Sequence, residues 1–316
     1  VVNGKQLYEY KLPNPYTINT AGSYPIRVIA NNPTPDGCSG EQQIDYTLQV
    51  FDPPVADFSY APVCFPNPVQ FTENNTTGGR PVISRYWNFG DAAIVNTSNP
   101  SHAYAAPGTY NVRYALITDV GCLSDTTSHP VTISPLPVAS ISGTTVVCQN
   151  STAPQITFTG SIGTAPYTFT YTINGGAPQT VTSTGNTATV AAPTAVPGTF
   201  TYSLVSVQDA SPASCSQPQT GSAIVTVNPL PTATISGSTT VCENATSPFI
   251  TFTGAVGSAP YTFSYSINGG PALTVTTTSG NTVTVPAPTG TPGTFIYTLL
   301  NVTDGTSTAC TQNQSG

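Results

Sequence analysis

"PYTFTYTINGG", Pro166–Gly176, recurs 94 residues later as "PYTFSYSINGG", Pro260–Gly270. In the first copy Tyr167, Phe169, Tyr171 and Ile173 share one parity, and Thr168, Thr170 and Thr172 share the other. A period of two is that of a half-buried β-strand: apolar side chains on one face, hydroxyls on the other. Asn174-Gly175-Gly176 then supplies a turn, because Asn-Gly tolerates the positive φ of a type I′ hairpin. The same reading holds at Asn268-Gly269-Gly270.

Working outward, the repeat is long. "PLPVASISGTTVVCQNSTAPQITFTG" from Pro135 aligns with "PLPTATISGSTTVCENATSPFITFTG" from Pro229. Cys148 maps to Cys242 at the same offset, and Cys215 maps to Cys310 at 95, one residue more. Two copies of one module therefore stand in tandem. Pro197-Gly198 ahead of "TFTYSLVSV" marks another turn before a strand. No apolar period of 3.6 survives the spacing of Pro, Gly and Thr, so helices are not expected. Short strands with regular turns, about seven per module, predict an all-β protein of tandem Ig-like β-sandwiches in an extended rod.

Composition agrees. The 316 residues include 31 Pro and 27 Gly, and only 6% are charged, against roughly 25% in an ordinary domain. The 16 Tyr and 12 Phe provide large buriable area, so a folded protein is expected whose polar face is hydroxyl rather than charge. All six Lys and Arg lie at or before Arg113. Without a basic patch, nucleic acid is not an expected partner, and neither is a membrane: no apolar run is long enough to span one. Beyond Arg113 there is no site for a trypsin-like protease. The chain begins at Val1 and lacks Met, which reads as an internal or processed piece of a longer chain.

The Pro-rich junctions Asp52-Pro53-Pro54, Ser134-Pro135-Leu136-Pro137 and Asn228-Pro229-Leu230-Pro231 are read as short stiff linkers. They divide the chain into 1–52, the C-terminal half of a sandwich; 53–134, a complete one; 135–228, the first repeat; and 229–316, the second, which stops where its last strand should begin. A window cut from a longer array accounts for both partial ends. A strand donated by another subunit is the alternative for the last sandwich.

The seven Cys pair most simply within modules: Cys64–Cys122, Cys148–Cys215 and Cys242–Cys310, with Cys38 left for a partner in the missing half-domain. A Cys122–Cys148 bridge across the linker remains open. No Cys-x-x-Cys occurs and two His cannot furnish several zinc sites. With no Asp-x-Asp for calcium, no metal or other cofactor is expected. Disulfides imply an oxidising compartment: periplasm, cell surface or medium.

One stretch invites a catalytic reading. Tyr86–Val112, "YWNFGDAAIVNTSNPSHAYAAPGTYNV", holds the only Trp and one of two His, His102, with Arg85 next to it. Yet Asp91 is the only carboxylate between Glu73 and Asp119, too few for acid–base work. A scaffold reading fits every position: Trp87 and Phe89 alternate on a strand, and Asp91 bonds backbone amides in the Gly90-Asp91 turn.

Trp87-Asn88-Phe89-Gly90-Asp91, Asn99-Pro100, His102-Ala103-Tyr104 and Pro107-Gly108-Thr109-Tyr110 resemble the signature of the PKD domain, an Ig-like sandwich of secreted and surface proteins. The resemblance covers about 53–134 and implies structural roles for these residues. Residues 1–52 look like the second half of another such domain, with Gly22 matching Gly108 and Cys38 matching Cys122. The tandem copies at about 135–316 resemble repeats of SprB-type giant surface adhesins of gliding Bacteroidetes. That resemblance implies export by the type IX system and long surface filaments. Asp125-Thr126-Thr127 resembles the O-glycosylation sequon of that phylum, with Thr126 the acceptor.

The expected function is thus non-catalytic: a structural and adhesive segment of a large cell-surface or secreted filament protein. Its partners would be other domains of the same chain, with surface polysaccharide or other cells beyond them. The alternative is a spacer array of a secreted polysaccharide- or protein-degrading enzyme. Direct carbohydrate binding would need aromatics on an outward face, whereas Tyr167 and Tyr171 share a face with Phe169 and Ile173.

Overall fold

A computed structural model describes residues 17–31 and 41–316. Every regular element among them is a β-strand, and the chain divides into two compact units that meet between Ile133 and Ser134. The fold is all-β, with tandem β-sandwiches.

The first unit opens with an antiparallel hairpin, Gly22–Asn31 against Glu41–Val50. Its register sets Ile26 opposite Tyr46 and Val28 opposite Ile44. These cross-strand apolar pairs lie on one face, and that face is uncovered: Val28 is 53% and Ile44 64% exposed. A sandwich follows. One sheet holds Phe58–Tyr60, Val69–Glu73 and Ser101–His102; the other runs Val63–Cys64, Thr127–Ser134, Gly108–Thr118, Val82–Asn88, Ile94–Val95. Trp87 fills the space between them, stacked on Tyr114 with centroids 4.0 Å apart and edge-on to Phe58 at 5.2 Å. Phe71, Phe89, Val112 and Ile133 complete this core. The indole Nε1 of Trp87 is buried without a hydrogen-bond partner, so packing rather than polar bonding holds this ring.

In the second unit the first repeat sets a three-stranded sheet (Val138–Ser142, Gln155–Ser161, Thr187–Ala191) on a larger one. The larger sheet runs Thr145–Cys148, Ser222–Asn228, Gly198–Gln208, Thr168–Ile173, Gln179–Thr182, with Ser216–Pro218 also paired to Gly198–Gln208. The expected alternation is realised. Tyr167, Phe169 and Tyr171 are buried in the core with Phe158 and Tyr202, while Thr168 and Thr182 pair their hydroxyls at 3.1 Å on the outer face. Asn174 and Gly175 have φ of 50° and 69°, and the Gly176 amide donates to the Ile173 carbonyl at 2.9 Å. This is the anticipated type I′ geometry. Asn174 does more than tolerate it: its Oδ1 accepts the Thr201 amide at 2.7 Å, tying the hairpin to the neighbouring strand.

The second repeat has the same three-stranded sheet, Thr232–Ser236, Phe249–Ala255 and Thr282–Pro286. Its other sheet holds Leu273–Thr276, Thr262–Ile267, Tyr297–Thr303 and Thr311–Asn313. Among the described residues, nothing there corresponds to Thr145–Cys148 or Ser222–Asn228.

Candidate functional site: the junction of the two repeats

The strand register of the first repeat decides where its cysteines lie. Cys148 ends the edge strand Thr145–Cys148, which runs parallel to the last strand and stands beside Asn228, at the end where the chain leaves the module. Gly198 pairs with Val227 near that end. Gln208, ten residues further along, pairs with Ser216, next to Cys215. Ten strand residues span about 33 Å, whereas a disulfide requires Cα atoms closer than about 7 Å. Cys148 and Cys215 therefore sit at opposite ends of one sandwich and cannot bond.

Cys148 instead bonds Cys310 of the second repeat, with Cα atoms 5.5 Å apart and a sequence separation of 162. The exit end of one module meets the loop that presents the late cysteine of the next. Asn228 Nδ2, at the same exit end, donates to Thr308 Oγ1 at 3.0 Å. The presenting loop is built around a buried carboxylate. Asp304 Oδ1 accepts the Cys310 amide at 2.9 Å, the Thr306 amide at 3.3 Å and the Thr306 hydroxyl at 2.7 Å. In the first repeat, Asp209 Oδ1 holds the Cys215 amide (2.9 Å), the Ser211 amide (3.2 Å) and the Ser211 hydroxyl (2.7 Å). A glycine makes room for each carboxylate. A Cβ on Gly163 would stand 2.6 Å from Asp209 Oδ2, and one on Gly257 2.5 Å from Asp304 Oδ2.

The within-module pairs expected from the sequence are thereby corrected. Cys122 and Cys242 are free thiols, so neither Cys64–Cys122 nor Cys242–Cys310 forms, and Cys122–Cys148 does not form either. Cys64 and Cys215 are disulfide-bonded. Cys38 lies outside the described residues.

The structure does bring two of the sequence's catalytic-looking residues together. His102 Nε2 is 2.7 Å from Asp91 Oδ2, and the imidazole stacks on Phe89 at 4.1 Å and meets the edge of Tyr104 at 4.6 Å. Tyr104 in turn donates to the Phe89 carbonyl at 3.2 Å. Asp91 accepts the Ala93 amide at 3.1 Å, as the turn reading anticipated. Burial pushes the Asp91 carboxyl up, but hydrogen bonds from His102 and the Ala93 amide outweigh it and hold its pKa below the ordinary value. Arg85 does not join this pair. It binds Glu73 at 2.7 Å, and Glu73 belongs to a network with Asn75 and Tyr114. Burial raises the Tyr114 phenol to about 12. His102 and Asp91 thus brace a turn against an aromatic cluster.

Sequence reasoning missed three such braces: His102–Asp91, Arg85–Glu73 and His129–Asp57, the last at 2.8 Å. Each joins residues at least 11 positions apart, brought together by strand pairing and sheet stacking that the sequence did not reveal. Thr126 is exposed in the loop before Thr127–Ser134. Among the described residues, no three His, Cys, Asp or Glu side chains gather as metal ligands would.

Residues 51–133 match the family model described as PKD domain. A microbial collagenase of Vibrio alginolyticus is 35% identical over 65 residues, which is 21% of this chain and 8% of the collagenase. The chain thus spans a small part of that relative's length. The crystal structure of the PKD1 domain of Vibrio anguillarum Epp is 23% identical and covers 26% of this chain and 94% of its own, with a TM-score of 0.24. The structure of a 1.5-MDa bacterial ice-binding adhesin is 18% identical, over 84% of this chain and 96% of its own, TM-score 0.38. A Ca2+-stabilised adhesin of an Antarctic bacterium is 14% identical, over 92% of this chain and 80% of its own, TM-score 0.39. The PKD match falls on the segment whose Trp87, Asp91, His102 and Tyr104 form the aromatic cluster and its brace.

Proposed function

We propose that this chain is a non-catalytic, tension-carrying segment of an extracellular or surface-displayed fibre. The observation that carries the reading is the Cys148–Cys310 bond between successive repeats. Force entering at Ser134 and leaving at Gly316 passes through the sulfur atoms, so the residues between the two cysteines stay slack even if both sandwiches open. A within-module bond would shield only its own loop; this one also shields the linker Pro229-Leu230-Pro231. The PKD match and the requirement of disulfides for an oxidising compartment support a location outside the cytoplasm.

Within this reading the chain comprises four modules, 1–52, 53–134, 135–228 and 229–316. Its partners are further modules of the same chain and, beyond them, surface polysaccharide or neighbouring cells. The repeat motifs favour an adhesin of the gliding-motility type, exported by the type IX route, with Thr126 as a glycan acceptor. A second reading, a spacer array of a secreted degradative enzyme, is favoured by the collagenase similarity. A catalytic domain encoded in the same reading frame would select it.

Single-molecule pulling tests the force-bearing role. The residues spanned by a separation of 162 extend to about 550 Å, at roughly 3.4 Å per residue. We expect that length to appear only after a reductant is added. Full extension of the second unit without reductant would refute the reading.

A further inference from the structure

In the PKD sandwich, strand register ranks Ile94, Asn88, Arg113 and Ser128 side by side across four strands of the larger sheet. The next rank sets Tyr86 opposite Ala115. Trp87 and Tyr114, of the other parity, fill the core, so these ranks face outward. Tyr86 is 43% exposed although it lies mid-strand. Its cross-strand neighbour Ala115 has only a methyl group, which leaves one flank of the phenol ring clear. The Asn88 amide nitrogen reaches the Tyr86 oxygen at 3.4 Å, at the tip of the ring rather than on its faces. Arg113 stands diagonal to Tyr86 in this register, and residues so placed lie about 7–8 Å apart. Arg27, Arg80 and Arg85 each bind a carboxylate at 2.7 Å. Among the described residues Arg113 is the one arginine that binds none, and it is exposed. No residue of either rank is acidic, in a chain whose net charge is -7.

We propose that this face is a subsite for an acidic polysaccharide, one whose sugars carry carboxylates. The C–H face of a pyranose lies on the Tyr86 ring, whose π-face is negative and meets the positive edges of the C–H bonds. The sugar carboxylate takes two parallel hydrogen bonds from the Arg113 guanidinium, whose planar fork matches it. Asn88 and Ser128 flank Arg113 and serve the hydroxyls. Ser128 already donates to Asn111 Oδ1 at 2.6 Å, so its oxygen is left as an acceptor. On the side of Tyr86 away from Arg113 lies an apolar pit of about 50 Å³ beside Ile117 and Leu123. It offers nothing to an anion, so the charged end of the sugar turns toward Arg113. The inference rests on the reading of surface polysaccharide as a partner and gives that partner a place and a charge; the force-bearing role stands apart from it and is tested separately by pulling.

The test titrates the whole chain with a hexamer of galacturonic acid, and with the same hexamer as its neutral methyl ester, in a calorimeter. Saturable binding of the acid is expected, with the ester weaker by about tenfold or more, because the ester forfeits the charge-assisted pair. Arg113→Gln should weaken binding of the acid by a similar factor and leave the ester unaffected. Tyr86→Ala should weaken both hexamers, and Tyr86→Phe, which keeps the ring, should restore them. Arg80→Gln removes a charge that Asp119 already engages and should change nothing, which separates a built site from the general effect of one cation fewer. Both key residues are exposed, so the variants are expected to fold; denaturation midpoints matching the unchanged chain confirm it. Absence of binding, equal affinity for acid and ester, or equal losses from Arg113→Gln and Arg80→Gln would each overturn the proposal. If the ester binds as tightly as the acid, a polysaccharide partner survives and its proposed charge does not.

Discussion

The two repeats share most of their sequence and yet differ in how far their cores are closed. In the first, Tyr202 is fully buried beneath Ser222–Asn228; in the second, Tyr297 is half-buried. The layer formed by Phe158, Phe169 and Tyr171 has its equal in Phe252, Phe263 and Tyr265: ring separations are 5.6 and 5.0 Å in one and 5.6 and 4.9 Å in the other. The aromatic layer is thus the same in both repeats, while the burial of the tyrosine beside it differs. The early cysteines differ too: Cys148 is bonded to Cys310, and Cys242 is free.

The largest effect should come from breaking the bond that joins the repeats. In the chain-entropy model a loop of separation 162 contributes about 5 kcal/mol. Reduction or Cys148→Ser should lower the unfolding free energy of the second unit by that order, while Cys242→Ser leaves it unchanged. A chelator should have no effect. Equal responses of Cys148→Ser and Cys242→Ser would break the comparison. Next in size are Phe169→Ala and Phe263→Ala, each expected to cost about 3–5 kcal/mol because each ring sits in the complete layer. Chemical denaturation of the two variants should give matching losses. Tyr202→Ala and Tyr297→Ala should differ, at about 3 and about 1 kcal/mol, because only the first tyrosine is sealed from water. Parity between them would break the contrast in burial.

The smallest effect separates the two units rather than the two repeats. Asp91 and Asp57 in the first unit have lowered pKa values: at Asp91 hydrogen bonds from His102 and Ala93 overcome the opposing effect of burial, and at Asp57 the His129 hydrogen bond leads. A depressed carboxylate contributes stability above its unfolded value near 4, and that contribution is lost as pH falls through the folded value. The first unit should therefore soften in mild acid, below about pH 4, and Asp91→Asn should flatten that response. Melts of each unit across this range, with and without the substitution, measure it.

Much of this was legible in the residues. The alternation at Tyr167–Ile173, the Asn174-Gly175 turn and the tandem offset fixed strand, hairpin and repeat, because each depends on neighbours in sequence. The Trp87–Tyr110 motif located the PKD sandwich for the same reason. The cysteine partners were not legible. Choosing between Cys215 and Cys310 for Cys148 requires knowing that the edge strand runs parallel to the last strand, which places Cys148 at the module's exit. That parallel pairing joins residues 80 positions apart, Thr145 with Val225, and leaves no local trace. The His102–Asp91 contact escaped likewise, since a turn-capping aspartate and a turn histidine look unrelated until the sheets stack.

The central claim is that covalent linkage runs from module to module. Non-reducing peptide mapping tests it most directly. Chymotrypsin or pepsin is the protease to use, because no Lys or Arg follows Arg113. A linked pair of peptides containing Cys148 and Cys310, together with an alkylated Cys242, is the predicted result. Linked peptides joining Cys148 to Cys215, or Cys242 to Cys310, would contradict it.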